Sequence, residues 1–397
     1  MQQHASSSSL FSNKTLWILM LGTFAMGNAK FSIMPLVPVI AQDFHTTEDA
    51  VLQTILAYFW GGLIAAPLIA IFCRHWAKHH ILVMLSLWCF AGNLLSSFAT
   101  NVDMLYWLRW FSGIPHAVFL AFACLLAGEM APPQQRGRYM GWALLGLAVA
   151  TMVAVPFNAW IGNSYGWQIA FRFVALVDLL IVLLIHDLIP ATKPVVQRPP
   201  LAAQLRQLRQ PAIWLLFGIG LCLITGMTVI WSFSLPLFTQ VAHLPAHLST
   251  VLLVLLGLGF VASQFMGGYL ADRHANTAVL LCVLWALMAA AILWVFLLDY
   301  RLALLGAFFI STISMINVVV QTRLLHMPHI PLYLVFCLYN ACIQLGNFIG
   351  SLIAHAISQS TWPMSSVIII SLLCSVLAGL LYWAMQQQQN RLTVPAA

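Results

Sequence analysis

Four ionisable side chains stand inside long apolar runs, where a charge has to be matched by a role: Lys30, Arg109, His116 and Asp178. An ammonium as deep as Lys30 can hold an anionic solute or serve as a fixed charge in a wet cavity; alternatively its stem can snorkel toward the nearer headgroups. Arg109 stays charged and presents a planar fork of N–H donors. That suits a clamp on a solute, or on an acid whose proton affinity it lowers; an interfacial anchor beside Asp103 and Tyr106 is the other reading. His116 follows seven residues later, so the two share a helix face. Histidine changes charge near neutral pH, which makes His116 a candidate proton acceptor; a neutral hydrogen-bonded ring beside Pro115 is equally consistent. Asp178, if ionised, needs a partner such as Arg172 or Lys30, and if protonated needs none.

Amides and aromatics in other runs can complete a binding surface: Asn28, Asn158, Trp231, Phe233, Asn317, Gln321, Asn340, Gln344 and Asn347. The same amides serve equally as glue between helices, worth about 0.6 kcal/mol each in a membrane. Glu129, near Arg136 and Arg138, reads as half of a gate or clasp with one of them; Arg74, Lys78, Asp272 and Arg273 fall at comparable turns. The chain has no phosphate-binding GxxxxGK[ST] loop and no HExxH, so ATP-driven pumping and metal-dependent hydrolysis are not expected, and no cofactor or enzyme activity is. The eight cysteines form no CxxC and read as small packing residues. His243 and His247 flank Pro245 and read as loop rather than metal site.

The elements that must position these groups follow from composition. Charged residues make up 6% of the 397 and hydrophobic residues 62%, against about a quarter charged in a soluble domain. Such a chain dissolves in lipid, where a crossing takes roughly 20 apolar residues. The apolar runs predict an all-α membrane protein with twelve spans, at 16–40, 50–73, 79–99, 103–130, 138–161, 167–189, 212–241, 248–271, 276–298, 301–325, 331–356 and 362–387. The Ser-rich start has no small-residue cleavage site after its first apolar run, so no removable signal peptide is expected.

If every run spans, Lys14, Arg74, Lys78, Arg136, Arg138, Lys193, Arg198, Arg206, Arg209, Arg273, Arg323 and Arg391 share one side. The other carries Asp43, Glu48, Asp49, Asp103 and Asp299 against Arg301 alone. The positive-inside rule makes the basic side cytoplasmic and puts both termini there; a bacterial inner membrane is the expected location. The net charge of +7 is thereby read as orientation rather than nucleic-acid binding. A polar stretch rich in proline and arginine divides the spans six and six: residues 1–190 form one half, 191–211 a cytoplasmic linker and 212–397 the other half. Leu201 to Gln210 is either a short amphipathic helix on the inner leaflet or a solvated linker. Gly61-Gly62 and Gly267-Gly268 precede basic turns in corresponding places, either as a faint echo of a duplication into parallel six-helix halves with a site near midplane between them or because glycine is common where membrane helices pack closely.

Several stretches occur in register with one family: Leu21-Gly22-Thr23-Phe24-Ala25-Met26-Gly27, Ala66-Pro67-Leu68-Ile69-Ala70, Arg109-Trp110-Phe111-Ser112-Gly113-Ile114-Pro115-His116, Arg136-Gly137-Arg138, Val155-Pro156, Gly166-Trp167 and Leu345-Gly346-Asn347. In these the chain resembles the major facilitator superfamily, specifically its drug and sugar efflux branch of proton antiporters of arabinose-efflux type. The resemblance implies twelve helices in two halves, alternating access, and a coupling role for Arg109 in the family's second signature. It also implies a helix 1 carboxylate, but Ala29-Lys30-Phe31 puts a cation in that place. The turn after the second run reads Cys73-Arg74-His75-Trp76 without the family's Asp, whereas Asp272 keeps it in the second half, and Ala154 and Asn158 replace glycines around Pro156.

The resulting expectation is a secondary transporter, functional as a monomer, exporting a small sugar, drug or metabolite against protons. Lys30, Arg109 and His116 would line one wall of a central cavity, facing the seventh, tenth and eleventh spans. An exporter or facilitator of an anionic solute lacking a helix 1 proton switch is the first alternative, and a membrane sensor that transports nothing is the second.

Overall fold

A computed structural model describes residues 13–189 and 200–393. Among the described residues there are helices and turns and no strand, and twelve spans are long and apolar enough to cross a bilayer. In chain order they are α1 Lys14–Asp43, α2 Glu48–His75, α3 Lys78–Ser96, α4 Val102–Met130, α5 Pro133–Tyr165, α6 Trp167–Leu188, α7 Pro211–Ser232, α8 Ser249–Arg273, α9 Ala278–Phe296, α10 Tyr300–Leu325, α11 Leu332–Ser358 and α12 Ser366–Gln388. These coincide one for one with the apolar runs. The seventh is shorter than its run, because regular helix stops at Ser232 and the chain continues through a wide turn at Leu237–Val241 just after Pro236. The first is broken inside its run: regular helix ends at Phe31, and Pro35 lacks the N–H that would close on the Phe31 carbonyl.

Helix starts carry side-chain caps. Asn13, Thr47, Asn101 and Asp299 each accept from a backbone N–H in the first turn of α1, α2, α4 and α10, satisfying donors that the helix leaves open. Gly166, at φ +95°, lets α5 end and α6 begin without a loop between them.

Neighbour relations repeat between the halves. In the first, α1 packs on α5, α2 on α4 and α3 on α6; in the second, α7 packs on α11, α8 on α10 and α9 on α12. The halves meet chiefly where α5 lies against α8 and α2 against α11. Because consecutive spans alternate direction, Arg74, Lys78, Arg136, Arg138, Arg273 and Arg323 fall at one face and Asp43, Asp49, Asp103 and Asp299 at the other. These are called the basic and acidic faces below. Lys193, Arg198 and the linker over 190–199 lie outside the described residues. Beyond them, Leu201–Gln207 is a short helix whose Gln204 is buried and hydrogen-bonded by the Tyr333 hydroxyl, so this part of the linker is docked on α11.

Candidate functional site

Three adjoining cavities run from the acidic face into the seam between the halves. The outermost, about 260 Å³, is lined by Met34, Asp49, Ile55, Ser232, Phe233, Ser351 and His355 among others. Met34, Ile55, Ser232 and Ser351 also line a middle cavity of about 50 Å³, which adds Lys30, Phe31, Phe59, Thr228, Trp231, Phe260 and Asn347. Lys30, Met227, Phe260 and Asn347 then continue into an inner cavity of about 40 Å³, bounded also by His116, Gln264, Asn317, Gln321, Asn340 and Gln344. The inner two hold a few waters each at most. A separate cavity of about 250 Å³, with Arg323 and His326 in its wall, lies wholly within the second half.

Lys30 stands at the junction of the two inner cavities because α1 breaks just beyond it. Its side chain does not snorkel: it is 8% exposed, with Nζ 4.9 Å and 5.0 Å from the ring centres of Phe31 and Phe59. Cation–π contacts of this kind contribute about 0.5–2 kcal/mol each. Among the described residues no carboxylate lies within ion-pair distance of that ammonium.

Arg109 does not line the cavities. Fully buried, it directs Nη1 to the Ala29 carbonyl at 3.0 Å and Nη2 to the Lys30 carbonyl at 3.4 Å, the acceptors exposed by the break in α1. Its guanidinium stacks 4.5 Å above the Tyr58 ring, and Tyr58 in turn meets His116 Nδ1 through its hydroxyl at 3.1 Å. Tyr58 reaches both because α2 and α4 touch at two glycines. A Cβ on Gly61 would strike the Trp110 carbonyl, and one on Gly113 the Tyr58 carbonyl. On the far side, Nη1 also approaches Asn93 Oδ1 at 3.5 Å, while Asn93 Nδ2 donates to Asp178 Oδ2 at 2.7 Å. Asp178 therefore pairs with neither Arg172 nor Lys30. The Arg172 guanidinium sits 5.3 Å over the Phe98 ring, and Lys30 is on the cavity side of α1. The first half thus contains a continuous polar file from Asp178 through Asn93, Arg109 and Tyr58 to His116 at the cavity wall.

The expected amides divide into two groups. Asn317, Gln321, Asn340, Gln344 and Asn347 line the inner cavity; Asn340 donates to Gln321, Asn347 to Gln344, and Thr228 to Asn347 at 3.0 Å. Trp231 lines the middle cavity, its ring 5.6 Å from Phe31, and Phe233 lines the outer one. Asn28 and Asn158 bind each other at 2.7 Å and tie α1 to α5 away from the cavity wall.

On the basic face, Asp272 of α8 accepts from the backbone N–H groups of Gly137 at 2.6 Å and Arg138 at 3.0 Å, with the Arg138 side chain at 3.9 Å. This clasp joins the halves. Glu129 takes no part in it and is paired with Lys78 rather than with Arg136 or Arg138, because the start of α3 lies beside the end of α4. Arg74 donates to His75 and Arg273 lies over Tyr269, both within their own half. Arg136 Nε has no hydrogen-bond partner among the described residues.

Sequence reasoning passed over Tyr58, Asn93 and Gln264. Asn93 and Gln264 carried a signal, an amide inside an apolar run, that was applied to other spans and not to theirs. Tyr58 carried none, since its role depends on the glycine contact between α2 and α4.

Comparison with known proteins agrees with this architecture. The sequence profile described as Major Facilitator Superfamily matches residues 19–331, more than half of the chain. A chloramphenicol resistance protein of Streptomyces lividans is 30% identical over 304 residues, covering 75% of this chain and 76% of that one. The inner membrane transport protein YdhP of Escherichia coli K12 is 26% identical over 268 residues, covering 66% and 68%. Among solved structures, the proton:xylose symporter XylE bound to 6-bromo-6-deoxy-D-glucose superposes with a TM-score of 0.76 over 95% of this chain and 96% of that one, at 14% identity.

Proposed function

This chain belongs to the Major Facilitator Superfamily, and from that premise we propose that it is a secondary active transporter exporting a small organic solute by alternating access, in exchange for protons. The observation that carries this reading is the asymmetry of the seam. Cavities lead from the acidic face to Lys30 and His116, and beyond them Asp272 closes the halves together. We take the basic face as cytoplasmic from the charge bias, in a bacterial inner membrane, with a monomer as the working unit. The two inner cavities are too small for a sugar or drug, so a solute is admitted by rocking one half on the other. Export is supported by the resistance function in the name of the Streptomyces relative. Proton exchange is assigned to His116 and Asp178, the two titratable groups at the ends of the buried file. No catalytic step is required.

The test is transport by the purified protein in proteoliposomes, with sugars, carboxylates, nucleosides and antibiotics as a panel. Counterflow of a panel member together with uphill movement driven by a pH gradient supports the reading. Counterflow that ignores the gradient replaces exchange by facilitation, and binding without any flux replaces the transporter by a sensor.

A further inference from the structure

The hydrogen-bonding inventory around the two inner cavities is lopsided. Lys30 supplies the single formal charge in their lining, with three N–H donors and no anion opposite. Gln344 Nε2 and Trp231 Nε1, both on lining residues of the second half, are buried without an acceptor. One lining acceptor is likewise unfilled, Gln264 Oε1. Elsewhere in the lining Asn340 donates to Gln321, Asn347 to Gln344, and Asn317 accepts from the Tyr339 hydroxyl. A buried ammonium and orphaned neutral donors each carry a desolvation cost until an acceptor arrives.

We infer that the solute is a small hydroxylated organic carboxylate, with its carboxylate on Lys30, the Gln344 and Trp231 N–H groups donating to its oxygens, and a hydroxyl donating to Gln264. This rests on the inter-half cavities being the transport route. A neutral solute leaves the ammonium unpaired, and a cationic one is repelled by it. The donors come from both halves: Lys30 from α1, Trp231 from α7 and Gln344 from α11. The carboxylate therefore bridges the seam that has to close around it. Lys30 is itself fixed in place, since Arg109 holds the Ala29 and Lys30 carbonyls just before the break.

The experiment is calorimetric titration and thermal unfolding of the full chain in nanodiscs with lactate, glycerate and gluconate, against glycerol, glucose and glucosamine as neutral and cationic counterparts. At least one of the carboxylates is expected to bind and to raise Tm, with its counterparts at least about tenfold weaker, the weight of one hydrogen bond to a charged group. Lys30→Met is expected to remove the preference and Lys30→Arg to keep part of it. Binding of none of the carboxylates, equal binding of the counterparts, or an undiminished preference in Lys30→Met overturns the assignment; the wild-type comparison decides if that variant does not fold. Counterflow separates the two readings. A carboxylate that binds through Lys30 without flux leaves the anion site and removes the transporter, whereas flux of a neutral solute does the reverse.

Discussion

Each guanidinium bond of Arg109 to α1 ends on a carbonyl that the break after Phe31 leaves without a helical donor, so in this conformation the residue holds the backbone at Lys30 and lines none of the seam cavities. Lysine cannot span both carbonyls while stacking on Tyr58, because it offers a point charge instead of a planar fork. Arg109→Lys is expected to cost about 1.5–3 kcal/mol, the value of hydrogen bonds to a charged group, read as a lower denaturation midpoint in detergent. Asp178 is different, since its neighbour Asn93 donates to it and asks only for an oxygen. Asp178→Asn retains that oxygen and removes the ionisable group. It is expected to leave Tm within a few degrees of wild type and to abolish flux driven by a pH gradient while counterflow persists. Gradient-driven flux at the wild-type rate would transfer the proton to His116, with His116→Gln as the corresponding variant.

The reach of Tyr58 to both Arg109 and His116 is a property of two helices. Gly61 and Gly113 each face the other helix's backbone with no room for a methyl group. Gly113→Ala is expected to push α2 from α4 and to cost about 1–3 kcal/mol, as overpacking does; the signature beyond lower stability is loss of the Tyr58–His116 hydrogen bond, read as a changed imidazole nitrogen shift in NMR. This contact also marks where sequence reading stops. Twelve spans, their alternation and the broken first helix's lysine were legible because lipid imposes long apolar runs and sorts cations to one side, so each charge that departs from the pattern stands out. Which residue faces which was not legible. Glu129 lies near Arg136 and Arg138 in sequence yet meets Lys78, and Asp178 meets an amide rather than a cation, because helix packing joins residues far apart in the chain. Arg109 and His116 do share a face, but backbone carbonyls occupy the first while the second reaches the cavity.

At the scale of the whole molecule the two ends of the seam are closed unequally. On the basic face the Asp272 carboxylate is 6% exposed in its ion pair and bound by two backbone N–H groups of the other half, while at the acidic face His355 and Asp49 approach at 3.7 Å with both side chains partly in water. A buried carboxylate with charge-assisted bonds outweighs an exposed pair, whose contribution is about 0–1 kcal/mol. The clasp is therefore the stronger tie in the conformation closed on the basic face, and its removal is expected to shift the population toward the opposite opening. Asp272→Ala takes away both N–H acceptors at once, worth roughly 1.5–3 kcal/mol each, which moves a two-state equilibrium by about 150-fold or more. Ser351→Cys, whose position lines the outer and middle cavities, reports that shift. In a background with the eight native cysteines replaced, a membrane-impermeant maleimide added from the acidic-face side is expected to label it readily. Adding Asp272→Ala is expected to slow that labelling about tenfold or more and to speed labelling of a cysteine at Leu144, in the inner cavity wall, from the basic-face side. Equal rates in the two backgrounds would mean that Asp272 stabilises the fold without holding the gate, and the resting asymmetry would then have to reside in the packing of α5 on α8.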